Sequence, residues 1–148
     1  MEFARYAQSK GVTIFYVTNR YVDVEAPTRE NLSRLGFPLD AATDHVLTRK
    51  ERPEWAASDK TSRRQFVART HRVLLLIGDD FNEFVSAAGK TAEERAQLNA
   101  QHASRWGLRW IMLPNPTYGS WEAALTAGGT SAAERLAFKL KHLRTLDQ

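Results

Sequence analysis

The segment that most constrains this chain is Arg72 to Phe84, RVLLLIGDDFNEF. Val73 to Ile77 is an unbroken apolar run, too short to cross a bilayer and too continuous for a strand with one wet face. It predicts a strand buried on both faces, as in a parallel sheet under helices. At its end the character reverses to Gly78, Asp79 and Asp80, with Glu83 one turn further on. Ligands of open α/β sheets gather at the carboxyl ends of such strands. Carboxylates crowded there repel unless a cation lies between them, and hard oxygen ligands suit Mg²⁺. The competing reading is an acidic turn that only keeps a strand end soluble.

A chain of 148 residues is expected to form a single domain with a real core. Its 21 basic and 17 acidic residues leave a net charge of +4, spread in short clusters such as Arg63-Arg64. Nucleic-acid binding needs a concentrated basic face, so this balance argues against it and suits small anionic substrates as well. With no cysteine there is no disulfide framework, thiolate metal site or cysteine nucleophile. The opening residues, MEFARYAQSKG, contain no apolar signal-peptide run.

Met1 to Lys10 predicts a short helix with Phe3, Tyr6 and Ala7 on one face, stopped by Gly11. Val12 to Val17, β-branched and aromatic, predicts a second buried strand, ending in the polar Thr18-Asn19-Arg20. A helix is expected from Pro27 to Leu35, closed by Gly36, and a short strand near His45 to Thr48. Ser58 or Asp59 would cap a helix from Lys60 to Arg69 with Phe66 and Val67 inward. Thr91 with Glu94, and Ser131 with Glu134, read as capping boxes for two later helices. The first would run to about Arg105, and the second would bury Leu136, Leu140 and Leu143. Between them Arg109 to Leu113 predicts a strand, followed by the ordered loop PNPTYGSWE. Alternating strands and helices indicate an α/β fold with a parallel sheet.

Three polar signals fall in order along this scheme: a threonine at one strand end, a lysine at a helix start, carboxylates at another strand end. These are the parts of a phosphoryl-transfer site, where hydroxyl and ammonium hold phosphate oxygens and a metal offsets charge. The segments FYVTNR, DKTSRR, LIGDDFNEF and WIMLPNPTYGSWE resemble the haloacid-dehalogenase-like phosphatases, and among them the class C acid phosphatase/5′-nucleotidase lipoproteins. The resemblance runs from Met1 to about Leu125, and LPNPTYGSWE is its most specific part. It implies a Rossmann-like parallel sheet with helices on both faces and a Mg²⁺-dependent phosphomonoesterase acting on nucleotides. It also implies export to the periplasm or outer membrane.

Residue by residue, the resemblance makes Thr18 the second-motif hydroxyl on the transferred phosphoryl group and Lys60 the third-motif lysine. It makes Asp79 a Mg²⁺ ligand, assisted by Asp80 and Glu83, which stand where the family usually carries Asn and Asp. Tyr118 matches an aromatic that packs against a nucleotide, and Asn19 and Arg20 beside Thr18 become candidate substrate contacts. One element is missing: the family's first motif, DxDxT, supplies the nucleophilic aspartate, and no DxD occurs in this sequence. The expectation is therefore an N-terminally incomplete domain lacking the first-motif strand, inactive alone, with a non-catalytic phosphate-binding module as the alternative. A sheet without that strand expects self-association or completion by another chain.

Each of these residues also has a plainer reading. Thr18 serves as a turn cap, Lys60 as a surface lysine against the helix dipole, and Tyr118 and Trp121 as core aromatics. Trp55, Trp106 and Trp110 are assigned to packing. His45, His71, His102 and His142 share no ligand-like spacing and are read as structural or surface residues. Arg63-Arg64 reads as a solvated helix face.

Overall fold

The computed structural model describes residues 1–126 and 131–142. The chain divides into two compact units, Met1–Arg72 and Val73–Gln148. The described strands form two parallel two-stranded ladders, as an α/β fold with short crossovers requires.

In the first unit, helix α1 (Glu2–Ser9) turns its small residues inward. Ala7 is buried as expected, together with Ala4, while Phe3 and Tyr6, expected on the same face as Ala7, stay exposed. Gly36 shows why a glycine follows α2 (Glu25–Arg34): φ is +74° and a Cβ there would meet the Arg5 guanidinium at 1.8 Å. Arg5 Nε donates to the Gly36 carbonyl at 2.7 Å, tying α1 to this turn.

Strand β1 (Tyr16–Tyr21) pairs with β2 (Val46–Arg49). The strand starts later than Val12, so Val12 to Phe15 lead into the ladder rather than belonging to it. Nor is β1 fully buried: its first three residues are half-buried and its last three exposed. The buried strand is β2, where Val46, Leu47 and Thr48 are wholly enclosed. Leu47 packs with Trp55 and Val67, and Phe15, Val17 and Phe66 complete that core. Helix α3 (Thr61–Ala68) covers it through Val67; its N-cap is Lys60 rather than the expected Ser58 or Asp59, and Asp59 Oδ1, one residue earlier, accepts from the Thr61 N–H at 2.7 Å. His45 sits in the same unit with both ring nitrogens facing acceptors, Ile14 O at 2.5 Å and Asp40 Oδ2 at 2.6 Å.

In the second unit, β3 (Leu76–Gly78) pairs with β4 (Trp110–Met112). The long apolar run contributes only two residues, Leu76 and Ile77, to the ladder. Val73 and Leu74 are exposed, and Ile77 is 46% exposed, so the strand is not buried on both faces. Like β2 it has a single described partner, but it lacks the cover that Trp55, Val67 and Phe66 give to β2. The core here is aromatic instead. Phe84, Trp106 and Trp110 meet at centroid distances of 5.0 to 5.5 Å, and Phe81 stacks on Trp106 at 6.2 Å.

Helix α4 (Ala92–Gln101) starts at the full Thr91–Glu94 capping box, and a 3-10 turn, Ala103–Arg105, extends it to the expected end. Helices α5 (Ser120–Leu125) and α6 (Ala132–His142) follow. Ser131 and Glu134 cap α6 as expected. Leu136 and Leu140, expected in the core, are exposed, and Leu143 lies outside the described residues. No helix among the described residues is long and apolar enough to cross a membrane.

Candidate functional site

The polar end of β1 is built by a bulge. Val17 faces Leu47 and Tyr21 faces Arg49, so Thr18, Asn19 and Arg20 together oppose Thr48 alone. Extra residues in a strand bend it and re-aim side chains, and such bulges gather beside active sites. Across this one, the Arg20 N–H donates to Thr18 Oγ1 at 3.2 Å. With that lone pair engaged, the Thr18 hydroxyl proton is left for an acceptor elsewhere. The Arg20 guanidinium turns back to α2, donating to Thr28 Oγ1 at 3.4 Å, so it is drawn toward the fold rather than toward a ligand.

Lys60 is half-buried at the start of α3. Arg63, three residues further on, is the residue that the sequence reading placed on the wrong face. Arg63 is not on a solvated face: it is 0% exposed. Its guanidinium donates to the Thr18 carbonyl, to Asn19 Oδ1 at 2.7 Å, and to the Ser58 and Asp59 carbonyls at 3.4 and 3.3 Å. The signal was present in the spacing. Arg63 stands four residues before the inward Val67, hence on the same helix face.

In the second unit the carboxylates follow β3. Gly78 is required by close approach, because a Cβ there would meet Glu83 Cβ and Cγ at 2.6 Å. Asp79 is exposed, and its Oδ2 accepts from Asn115 Nδ2 at 2.8 Å. Asp80 is used differently. Its Oδ1 accepts from the Asn82 N–H at 2.8 Å and from Ser120 Oγ at 2.6 Å, while its Oδ2 accepts from the Ser120 N–H. Three of about four lone pairs are thus spent within the chain. Partial burial pushes the Asp80 pKa up, but the Ser120 and Asn82 hydrogen bonds and the Arg95 charge outweigh it, and the net shift is downward.

These bonds fasten the loop PNPTYGSWE to the acidic turn. Trp121 Nε1 adds a bond to Asn115 O at 3.2 Å, and Gly119 lets the loop pass where a Cβ would lie 2.9 Å from Asp80 Oδ2. Tyr118 projects from this loop, 66% exposed, and so is not a core aromatic. Trp55, Trp106 and Trp110 do pack, as expected. Asn115 and Ser120 were not singled out in the sequence. Their signal is the pair of prolines, Pro114 and Pro116, and the Gly119 that follows, which force a turn whose polar groups need partners.

Among the described residues no group of three or more His, Cys, Asp or Glu side chains is arranged to hold a metal ion. Mg²⁺ keeps several waters and needs only one or two carboxylates beside a phosphate. Asp79 fits that minimal role, with an exposed carboxylate aimed by Asn115. Asp80 fits it less well, its oxygens being committed to Ser120 and Asn82.

Residues 1–121 match the family model described as HAD superfamily, subfamily IIIB (acid phosphatase). The fold is similar to the class C acid phosphatase from Bacillus anthracis, with a TM-score of 0.79 at 34% identity. A second structure of that enzyme, with tungstate bound, gives a TM-score of 0.81 at the same identity. In both comparisons 99% of this chain is covered, and the chain spans 60% of the length of the relative. With the motifs that first suggested the resemblance now placed on strand ends, the chain belongs to the acid phosphatases of HAD subfamily IIIB.

Proposed function

We propose that this chain is the phosphate- and metal-binding portion of a Mg²⁺-dependent phosphomonoester hydrolase of the 5′-nucleotidase type. The observation that supports the reading most directly is Asp79. Its exposed carboxylate follows β3 at the carboxyl end, held by Asn115 from the loop that carries Tyr118. Thr18 would donate its hydroxyl proton to a phosphate oxygen, and Lys60 would supply positive charge that strengthens as negative charge develops. Tyr118 would offer a flat apolar surface to a nucleotide base. Mg²⁺, when bound at Asp79, would polarise a phosphoryl oxygen. The 148 residues are read as belonging to one HAD-like domain, and the compartment follows the family's lipoprotein export.

These 148 residues contain no DxD, the motif that would supply the aspartate for the covalent aspartyl-phosphate that splits the reaction into two easier steps. That favours phosphate binding without turnover for these 148 residues. The test pairs binding with catalysis. Inorganic phosphate titrated with Mg²⁺ and followed by ³¹P NMR should bind in about the millimolar range, near −4 kcal/mol, and weaken on Asp79→Ala. Hydrolysis of p-nitrophenyl phosphate should stay at background. Mg²⁺-dependent turnover lost on Asp79→Ala would overturn the non-catalytic part and leave the site reading standing.

A further inference from the structure

We infer that Arg63 is a positioning residue that locks the Thr18 bulge to the start of α3, fixing the phosphate-handling hydroxyl and the lysine in one frame. The inference rests on the site reading above and adds a residue to it. A fully buried guanidinium is costly unless its N–H groups find acceptors. The two terminal nitrogens of Arg63 find four, and these come from two segments. Thr18 O and Asn19 Oδ1 belong to the bulge of β1, while Ser58 O and Asp59 O belong to the turn that leads into Lys60.

Both places need such a partner. A bulge leaves backbone groups without a ladder neighbour, and Thr18 O, lying within this bulge, takes its hydrogen from Arg63. The turn before α3 places a lysine where the helix dipole disfavours it, and Asp59 is already engaged with the Thr61 N–H. A planar fork of five donors can join these two segments at fixed spacing, and a lysine ammonium cannot. Arg63 touches no ligand in this scheme. It acts by holding Thr18, Asn19 and the turn at residues 58–60 together.

The test uses the whole chain and inorganic phosphate. Arg63→Lys keeps the charge and removes the fork. It should weaken phosphate binding about tenfold, the usual scale for losing a group that orients a ligand's direct contacts. Asn19→Ala should weaken binding about threefold, and the double substitution should be no worse than Arg63→Lys alone, because Asn19 acts through Arg63. Amide signals of both 18–20 and 58–61 should shift together in Arg63→Lys by ¹H–¹⁵N NMR, whereas a purely local packing role would move those of α3 alone. Arg69→Lys, at the exposed C-cap of the same helix, is the control for the arginine-to-lysine exchange and should bind as the parent does.

Wild-type affinity in Arg63→Lys, or additive losses in the double variant, would overturn the inference. If the Arg63 variants fail to fold, Asn19→Ala carries the decision, and unchanged affinity there overturns it. Thr18→Val and Lys60→Ala separate the two levels. If neither weakens phosphate binding, the site reading itself falls and takes this inference with it. If both do and Arg63→Lys does not, only the inference falls.

Discussion

The first unit hides charge and the second hides rings. In Met1–Arg72 the enclosed residues include Arg63, His45, Thr48 and Thr28 beside Leu47, Val46 and Trp55. In Val73–Gln148 they are Phe81, Phe84, Ala87 and Trp110, with Thr126 the one buried polar residue among those described. The ladders differ in the same sense. Strand β2 is sealed and short of apolar length, whereas β3, with the longest apolar run in the sequence, is open. Burial follows what a strand is packed against, and composition only permits it.

The sharpest way to break that comparison is to truncate one residue in each ladder. Leu47→Ala should cost about 3 kcal/mol, since it opens a cavity against Trp55 and Val67. Ile77→Ala, at a half-exposed position, should cost below about 1 kcal/mol. Urea unfolding checks both, and an equal or reversed pair of values would show that β3 is the buried strand after all. Next in size is Gly78→Ala, where the new Cβ meets Glu83 at 2.6 Å. About 2 kcal/mol is expected from overpacking, read as a drop in the thermal midpoint.

The carboxylates of the two units should respond oppositely to pH. Glu51 in the first unit is raised from its ordinary 4.5, by burial first and by the nearby charges of Asp44 and Glu25 as well. Its contribution is present at low pH and is lost as pH rises through its folded value. Asp80 in the second unit is lowered from 3.8, so its contribution is present above the unfolded value and is lost as pH falls through the folded one. Thermal midpoints from pH 3 to 7 should therefore diverge in sign. Glu51→Gln should remove a loss seen on raising pH through the Glu range, and Asp80→Asn a loss seen on acidification below about 4. Parallel pH profiles for the two variants would contradict the assignment. The smallest effect is expected for Asn115→Ala, which removes one exposed bond to Asp79. Roughly 0.5–1 kcal/mol is at stake, best seen as faster proteolysis within residues 113–121.

Much of this was legible before any coordinates. The alternation of elements, the capping boxes at Thr91–Glu94 and Ser131–Glu134, the turn glycines and the β3 carboxylate turn depend on neighbours within a few residues, where spacing and side-chain chemistry decide the outcome. The motif residues were legible for the same reason, as short segments with fixed spacing. What the sequence could not carry was who faces whom across distance. Phe3 and Tyr6, expected to be inward with Ala7, are exposed, and Ala4 is buried beside Ala7 instead. Arg63 became the most enclosed charge because four acceptors from two segments, up to 45 positions away, converge on it. Asp80, read from the sequence only as a candidate ligand, also fastens the 114–121 loop because Ser120 reaches it from 40 residues on. Local chemistry is written along the chain, while desolvation and hydrogen-bond partnership depend on which distant segments fold together.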